Sequence, residues 1–558
     1  MSRRAQVGRL VRTFRYLEPQ QVLSRAREPL VDLVDSSGPR SGAPVTAPGW
    51  PSTFSSTDSL LRAGGLGFEG EDITLLGENR TMGPPAEWDW TAPGASRLWR
   101  FHLNYWDWAH ETLTHAGGAG LLEELVTGWW GRTRYGQGDE WEPYVVSLRL
   151  WSLCGLWNRD FSPVGHATII SAVSTQQHYL SRRLEWDVRG NHLIKNLKAL
   201  CGAAAFLGER DRFSDEIDRA HNEISRQVLR DGGHEERSPS YHAQVLLDVI
   251  DLRDLARAMG ETAAADSFSE LAAAMTAWLC SMSPGDVLPA VNDGFPPSHE
   301  VLDLLLPGDR PPAPTVTVLG HSGYARVKTG EWEHLLDVGP IGPPHNPGHG
   351  HADSLSFLSW YSGVPVLVDT GTSTYDAGTQ RAYERSTRAH NTVEVGSRDS
   401  SEVWKSFRVG RRATASLDSL DVMGDRVTVS ASHDGYQVSH QVSVCRTWDL
   451  GPEGLQITDR LQGRDVDDKT TVLTHLHLHP DLVWDGSRAS SSADAFTVTC
   501  QDETGELLSA EVRLSPVATG LNRVQEAVHL TFRWPAGSRS ISVTIDHCTP
   551  IKKKEDKP

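Results

Sequence analysis

Three histidines and an aspartate lie within nine residues in the second half of the chain. They are His345, His349, His351 and Asp353. The stretch runs into alternating apolar residues, so we predict a strand that points residues 349, 351 and 353 to one face. A second carboxylate, Asp369, and a fourth histidine, His390, follow within a few strand lengths. Two imidazoles and a carboxylate are a common zinc-binding set, so we predict that this region closes a functional site.

In the first half, polar patches lie at or near the starts of predicted helices. These patches are residues 142–149, 189–192, 237–242 and 292–294. Taken singly, each has a structural interpretation, such as Asn191 or Ser238 capping a helix. Taken together, they suit chemistry on a sugar acid. Hydrogen-bond donors stabilise the charge that develops when the C5 proton of a uronate leaves, and a phenol or imidazole can carry protons.

These residues must be positioned by helices and strands, which two kinds of periodicity in the sequence predict. Between residues 98 and 282, apolar residues recur at helical spacing. The predicted helices are 98–108, 121–130, 144–157, 167–184, 193–207, 211–229, 241–259 and 262–282. After the proline-rich stretch 307–314 the period becomes two, which predicts short antiparallel strands. Among them are 427–432, 438–446, 455–461, 470–479, 496–500, 528–534 and 540–545.

The N-terminal region carries weaker signals. Residues 7–34 form one amphipathic stretch that we expect to break at Pro19 and Pro29, and residues 36–60 are predicted to be loop. Tryptophan is abundant, at 19 residues, many of them in the first 190 positions. Indole rings can pack a core or support a sugar ring, and composition does not decide between the two.

Composition excludes several classes of protein. A chain of 558 residues predicts more than one domain, and a net charge of −18 argues against general nucleic-acid binding. We find no apolar run long enough for a transmembrane helix, so no membrane partner is expected. The six cysteines are widely spaced and are predicted to be free thiols. The basic start has no apolar signal segment, so a cytoplasmic location is expected.

Four motifs together resemble the heparinase II/III-type polysaccharide lyases. They are Gly190-Asn191-His192, Ser238-Pro-Ser-Tyr241-His242, His349-Gly-His351-Ala-Asp353 and Arg388-Ala-His390-Asn391-Thr-Val. The similarity extends to residues 101–107 and covers most of residues 90–400. It implies a multidomain α+β chain, with an N-terminal (α/α) toroid followed by a C-terminal antiparallel β-sandwich. The implied division is an extension at 1–87, the toroid at 88–306, the sandwich at 315–548 and a charged tail at 549–558.

The resemblance also implies roles for individual residues. Asn191, with His192 beside it, would bind and neutralise the uronate carboxylate. Tyr241 would be the acid and a candidate base, and His349 the acid/base for the opposite C5 epimer. The implied ligands of a divalent metal, zinc or else manganese, are His351, Asp369 and His390, with Asp353 orienting a histidine. The implied substrate-binding residues are Tyr105, Arg149, Arg237, Asn292 and Tyr383, with Tyr375 as an alternative to Tyr383.

The predicted function is therefore a lyase that cuts uronate-containing polysaccharides by β-elimination. Glycosaminoglycans such as hyaluronan, chondroitin sulfate and heparan sulfate come first, because Arg149, Arg189 and Arg237 suit a dense anionic chain. Alginate comes second. A non-haem iron oxygenase would use the His351–Asp353–His390 set. A glycoside hydrolase would need two facing carboxylates from residues 142, 231, 235 and 293. A non-catalytic sugar-binding protein is the remaining alternative.

Overall fold

A computed structural model of the chain describes residues 3–35, 48–57, 67–69, 71–114, 117–295, 297–308, 313–464, 467 and 469–548. The predicted loop at 36–60, the centre of the proline-rich boundary and the charged tail lie wholly or partly outside these residues. No helix in the described part of the chain is long and apolar enough to cross a membrane.

Two consecutive helices lie at the N-terminus, joined by a short turn. They are α1 (Arg3–Phe14) and α2 (Pro19–Val34). The predicted break at Pro19 is confirmed, because this proline is the first residue of α2, where no N–H is needed. The predicted break at Pro29 is wrong, because α2 continues through it. Beyond that proline, ion pairs with Arg183 fasten the end of the helix to the rest of the protein.

Helices make up most of the chain up to residue 305. A small sheet and a short helix come first, namely β1 (Gly67–Glu69), β2 (Asp72–Leu75), β3 (Glu78–Thr81) and α3 (Arg97–Leu103). The main helices are α4 (Gly118–Arg132), α5 (Pro143–Gly155), α6 (Pro163–Arg182), α7 (Gly190–Leu207), α8 (Arg210–Gln227), α9 (Pro239–Met259), α10 (Thr262–Ser281) and α11 (His299–Leu305). The predicted helices from 121 to 282 are confirmed to within a few residues at their ends.

The main helices pack in two layers. Helices α5, α7 and α9 contact one another in a row, and α6, α8 and α10 pack against members of that row. Helix α7 is buried along almost its whole length, as expected for a helix enclosed by others. This double layer is the arrangement of an (α/α) toroid, so the predicted fold of the first half is confirmed.

The tryptophans of the first half fill the core of the toroid. Within the first 190 residues, those with at most 4% of their surface exposed are Trp88, Trp90, Trp99, Trp106, Trp108, Trp129, Trp141 and Trp151. Core packing is therefore the correct interpretation for these eight, rather than a set of sugar platforms.

The second half is built of antiparallel strands. The first are β4 (Val316–Leu319), β5 (Tyr324–Thr329), β6 (Trp332–Asp337), β7 (Phe357–Tyr361), β8 (Val364–Leu367), β9 (Val393–Val395), β10 (Val403–Trp404), β11 (Arg408–Val409), β12 (Ala415–Met423), β13 (Arg426–His433) and β14 (Val442–Leu450). The others are β15 (Gly454–Gly463), β16 (Val472–His477), β17 (Val483–Trp484), β18 (Arg488–Ser490), β19 (Ala495–Asp502), β20 (Glu511–Gly520), β21 (Arg523–Arg533) and β22 (Ser540–Cys548). Two short helices interrupt them, α12 (Thr379–Glu384) and α13 (Gln437–His440).

These strands form a sandwich. One layer is an eight-stranded sheet in the order β12-β13-β14-β15-β22-β19-β18-β17. Facing it are a five-stranded sheet, β4 to β8 in sequence, and a four-stranded sheet in the order β20-β21-β16-β9. A bridge between Leu367 and Leu478 joins these two. Side chains from all three sheets share one apolar core, including Trp332, Val429 and Leu530. The predicted sandwich is confirmed, and the residue at which the domains divide stays a prediction.

Two local strand predictions are wrong. Residues 349–353 form a loop, and the strand predicted there begins only at Phe357 in β7. The loop forms because its polar side chains bind other side chains instead of lying along a strand ladder. The strand predicted from 438 begins at Val442, after the short helix α13.

Several histidines lie inside the protein as neutral imidazoles. Burial lowers the pKa of His334 and of His433 to about 3. It also lowers the pKa of His242 to about 3. The same groups titrate near 6.5 in an unfolded chain. The unfolded state therefore binds more protons between pH 6.5 and pH 3, so stability is complete above pH 6.5 and decreases as the pH falls through this window.

We expect the unfolding temperature to fall between pH 7 and pH 5, where few carboxylates titrate. His433→Gln keeps an acceptor for the Gly435 N–H, which donates to His433 Nδ1 (3.1 Å). In this variant the free energy of unfolding should depend less steeply on pH, by up to about 1.4 kcal/mol per pH unit. Thermal unfolding at pH 7, 6 and 5 measures it, with His299→Gln at an exposed histidine as the control. Equal slopes in the two variants would contradict the assignment.

Candidate active site

The first turn of α7 carries Asn191 and His192. The Asn191 side chain donates to both carboxylate oxygens of Glu236 (3.0 and 3.2 Å), and its backbone N–H donates to one of them (3.2 Å). Glu236 comes so close that a Cβ on Gly190 would lie 2.0 Å from its oxygen, which is why residue 190 is glycine. The predicted N-cap role of Asn191 is wrong, because Arg189 is the residue that precedes the helix.

Glu236 is an ionised carboxylate although it is buried. Burial opposes ionisation, but His349, His234 and the Asn191 amide hold the pKa of Glu236 below its usual value. This charge fixes the orientation of the Asn191 amide. An amide nitrogen has two hydrogens, and both oxygens of Glu236 lie within hydrogen-bond distance of the Asn191 nitrogen.

His192 is held by a second glutamate. Its Nδ1 lies 2.9 Å from Glu185 Oε1, and Asn196 Nδ2 donates to the other oxygen of the same carboxylate (2.9 Å). Burial opposes protonation of His192, but Glu185 raises its pKa. The ring of Tyr144 lies 4.3 Å from the ring of His192. Tyr105, predicted to bind substrate, is buried, with its ring centre 6.1 Å from that of Tyr144.

Tyr241 stands on the first turn of α9, which Ser238 caps through its Oγ (3.2 Å to the Tyr241 N). The Tyr241 hydroxyl lies 2.9 Å from that of Tyr375, and its ring lies 4.1 Å from the ring of His349. Burial, followed by nearby Tyr375 and Asp293, raises the pKa of Tyr241 well above its usual value. At neutral pH the phenol is therefore protonated and can donate. Of the two tyrosines proposed on the strand side, it is Tyr375 that contacts Tyr241, whereas the Tyr383 hydroxyl is buried elsewhere on α12.

Asp293 holds two of the predicted histidines. Its Oδ2 lies 3.1 Å from His349 Nδ1, and its Oδ1 lies 2.9 Å from His351 Nε2. Arg381 donates to both oxygens. Burial would raise the pKa of Asp293, but Arg381, His349 and His351 hold it well below its usual range. A carboxylate bound to His349 Nδ1 keeps a proton there and leaves the lone pair of Nε2 as a proton acceptor.

A metal-binding group lies beside Asp293. In the described part of the chain, His351, Asp369 and His390 offer ligand atoms that all lie within 4.8 Å of one another, and all three residues are buried. His351 Nδ1 and His390 Nε2 have no hydrogen-bond partner among the described residues. Burial lowers the pKa of His351 to about 4, so its imidazole is neutral, as metal binding requires. The three residues therefore fit a divalent metal.

The group also corrects one expected role and changes the ligand set of one alternative. Asp293, rather than Asp353, orients His351. It binds Nε2 and leaves Nδ1 for a metal, which is the usual carboxylate–histidine arrangement. His390 is bound by Asp369 in turn, with 2.8 Å between Nδ1 and Oδ2. The iron oxygenase alternative required Asp353 as the carboxylate ligand, and Asp369 takes that position instead.

Three predicted substrate-binding residues have structural roles. Arg149 is fully buried, stacks on Trp129 (4.4 Å) and donates to Gln176 and to the carbonyls of residues 104 and 140. The Arg237 guanidinium donates to the carbonyls of residues 321 and 340. Asn292 is buried, donates to the Arg237 carbonyl and accepts the His351 N–H (both 3.1 Å). These bonds occupy the side-chain donors and acceptors that would otherwise bind a substrate.

Three of the four carboxylates named for the hydrolase alternative are also engaged. Asp293 is bound by Arg381, and Asp231 accepts the backbone N–H groups of residues 321 and 322 (2.8 and 2.7 Å). Glu142 pairs with Arg97 (2.6 Å). These three carboxylates are held by other groups, so they do not form the pair of acid and base that hydrolysis needs.

Four residues that organise the site were not identified from sequence in these roles. They are Glu185, Glu236, Asp293 and Arg381. Asp293 was noted as part of a polar turn and as a candidate carboxylate of a hydrolase, and the Gly190-Asn191-His192 motif was the one signal that a side chain approaches residue 190. Nothing in the sequence distinguishes Glu185 and Glu236 from the other acidic residues.

Two family models match the chain. The heparinase II/III N-terminus matches residues 139–305, and the heparinase II/III-like C-terminal model matches residues 311–554. Together they span most of the chain. Among curated proteins, no match is found.

Solved structures share the whole architecture. A heparinase III structure is 14% identical, with 98% of this chain and 94% of that chain covered and a TM-score of 0.71. Another heparinase III is 16% identical, with coverages of 97% and 92% and a TM-score of 0.65. A mutant of the heparan sulfate lyase HepC from Pedobacter heparinus is 17% identical, with coverages of 96% and 88% and a TM-score of 0.61. At such identities the likeness shows the fold.

We expect Asp293→Asn to be strongly destabilising. The substitution leaves the buried Arg381 cation without its counter-charge, which typically costs about 3–5 kcal/mol. Denaturant unfolding measures the loss, with Asp376→Asn at an exposed aspartate as a control that should change stability by less than about 0.5 kcal/mol. The double variant Asp293→Asn, Arg381→Met should recover part of the loss. No recovery would mean that the ion pair is not the source of the effect.

Proposed function

Because the chain belongs to the heparinase II/III-like family, we propose that it is a polysaccharide lyase that cuts uronate-containing chains by β-elimination. The observation that carries the proposal is the pairing of Tyr241, from the helical half, with His349, from the strand half, at 4.1 Å between rings. Glycosaminoglycans are the proposed substrate class. Heparinase III and a heparan sulfate lyase, whose folds this chain shares, support that choice.

Asn191 binds the uronate carboxylate in this proposal. Its amide nitrogen is held by Glu236, and in this proposal one of its two hydrogens turns to the uronate carboxylate when the substrate binds. Neutralising the carboxylate makes the C5 proton more acidic, because charge can then spread into the carboxyl group as the proton leaves. His192, held by Glu185, lies next to Asn191 and supplies a further donor.

Two groups move the protons. His349, with Nδ1 held by Asp293, accepts the C5 proton at Nε2. Tyr241 is protonated because its pKa is raised by burial, and it donates to the O4 oxygen of the leaving sugar. The C5–H and C4–O4 bonds break, and a C4–C5 double bond forms.

We propose that His351, Asp369 and His390 hold zinc, with manganese as the second candidate. Nitrogen and oxygen ligands disfavour calcium. When bound, the metal supplies a fixed positive charge beside the loop of His349 and rigidifies it. Asp293 binds both His351 and His349, so it fixes the position of the metal site relative to His349.

Tyr241→Phe should abolish turnover, by at least about 100-fold, because it removes the proton donor. The assay is the ultraviolet absorbance of the unsaturated uronate product, with hyaluronan, chondroitin sulfate, heparan sulfate and alginate tested in turn. Tyr361→Phe is the matched control, because Tyr361 lies on β7 and stacks on His547 (4.1 Å), away from Tyr241.

The outcomes separate the candidate activities. The proposal is supported if the absorbance rises with the wild type and with Tyr361→Phe but not with Tyr241→Phe. Full activity in Tyr241→Phe would show that the mechanism is wrong. New reducing ends without absorbance would indicate hydrolysis and reject the lyase assignment.

His351→Ala should lose the bound metal and unfold at a lower temperature, because a structural metal contributes to folding free energy. Elemental analysis of the purified protein and thermal unfolding with and without a chelator measure this. His345→Ala, in the same loop but outside the ligand group, is the control and should keep the metal. Equal metal content in the two variants would reject the ligand set.

A further inference from the structure

A short β-hairpin of the strand half places an aromatic ring at the candidate active site. Strands β10 and β11 form it, and residues 405–407 join them. The ring of Phe407 lies 6.0 Å from the ring of His349 and 5.6 Å from the ring of Tyr375. Tyr375 in turn bonds the hydroxyl of Tyr241 (2.9 Å). Phe407 therefore lies next to the proposed proton acceptor and one residue away from the proposed proton donor.

Two different parts of the protein hold this β-hairpin. The carbonyl of Ser406 accepts two hydrogen bonds from the Arg381 guanidinium (2.8 and 3.1 Å). On α1, Thr13 Oγ1 lies 3.2 Å from Trp404 Nε1, and two arginines donate to Glu402 just before β10 (3.0 and 2.8 Å). The tip that carries the aromatic ring is therefore fixed relative to the candidate site.

The contacts of Phe407 leave much of its ring uncovered. The Arg381 guanidinium lies 5.3 Å from the ring centre, so the ring covers part of the buried ion pair with Asp293. Even so, 42% of the surface of Phe407 is exposed. An apolar ring that faces water is stabilised when another apolar surface covers it. The cover over Arg381 accounts for the buried part of the ring and leaves the exposed part without a role.

The exposed part of the ring suits a sugar better than a charged group. The C–H groups on one face of a pyranose form a flat apolar surface, which packs on an aromatic ring without conventional hydrogen bonds. Arg381, the cation in contact with this ring, is buried and already paired with Asp293, so it does not attract a sulfate here. Stacking is the interaction that remains.

We propose that Phe407 is a substrate-positioning residue, and that its exposed face stacks on a sugar ring adjoining the bond that is cut. A substrate held between Tyr241 and His349 lies beside Phe407, because the Phe407 ring adjoins that of His349. The inference rests on the proposed lyase function. It adds an uncharged contact on the strand side, which selects a sugar with an open apolar face.

The test separates the flat ring from its apolar bulk. Phe407→Leu and Phe407→Met keep an apolar cover over Arg381 but remove the ring, whereas Phe407→Tyr keeps the ring. The first two variants should raise KM about tenfold and leave kcat within about twofold, because stacking is equally strong before and during proton transfer. Phe407→Tyr should keep the wild-type KM within about twofold.

Phe14→Leu is the matched control and should change neither constant. Phe14 lies on α1 and is 43% exposed, and in the described part of the chain its ring contacts no other aromatic ring and no cation. The assay is the absorbance of the unsaturated product. Its substrate is whichever of hyaluronan, chondroitin sulfate, heparan sulfate and alginate gives the fastest rise with the wild type. Thermal unfolding of each variant is measured alongside.

Several results would overturn the proposal. One is an unchanged KM in Phe407→Leu and Phe407→Met. A loss confined to kcat and to the unfolding temperature would show that Phe407 only covers Arg381. A KM in Phe407→Tyr as high as in Phe407→Leu would show that the ring itself is not needed.

Failure of the lyase function gives a different result. In that case the wild type produces no absorbance with any of the four polymers. Titration calorimetry with the same polymers then tests the stacking contact alone. Weaker binding by Phe407→Leu than by the wild type and Phe407→Tyr would support the contact, and equal binding, or none, would overturn it.

Discussion

The structure depends on one buried ion pair, between Asp293 and Arg381. Asp293 follows the helices of the toroid, and Arg381 belongs to α12 in the strand half, so the pair joins the two halves at the centre of the site. Its charge also orients His349 on one oxygen and His351 on the other. A proposed proton acceptor and a proposed metal ligand therefore share one carboxylate, and neither can be moved without the other.

Much of the architecture was predictable, because it follows from local patterns. The helices α4 to α10 follow apolar spacing, and Ser238 caps α9 as its residue type suggests. The set His351, Asp369 and His390 gathers as expected. The loop at 349–353 was predicted to be a strand because its polar residues alternate in the sequence. These residues bind side chains across the site, and a period of two does not distinguish such a loop from a strand.

The residues that could not be predicted act over long sequence separations. Glu236 meets Asn191 across 45 positions, and Arg381 meets Asp293 across 88. Local periodicity carries no information about such pairs. The same limit explains Arg149, since a guanidinium buried against Trp129 has the same sequence signature as one that faces a substrate.

The contacts of the first N-terminal helix have a consequence for the order in which the protein assembles. Arg9 and Arg12 are made first during synthesis, yet their partner Glu402 lies about 390 positions later. Contacts of such high sequence separation form late, because the closure entropy of the intervening chain must be overcome first. The N-terminal helices therefore make their contacts with the strand half only after most of the sandwich has been translated. The first helices to be synthesised are thus among the last to reach their final contacts.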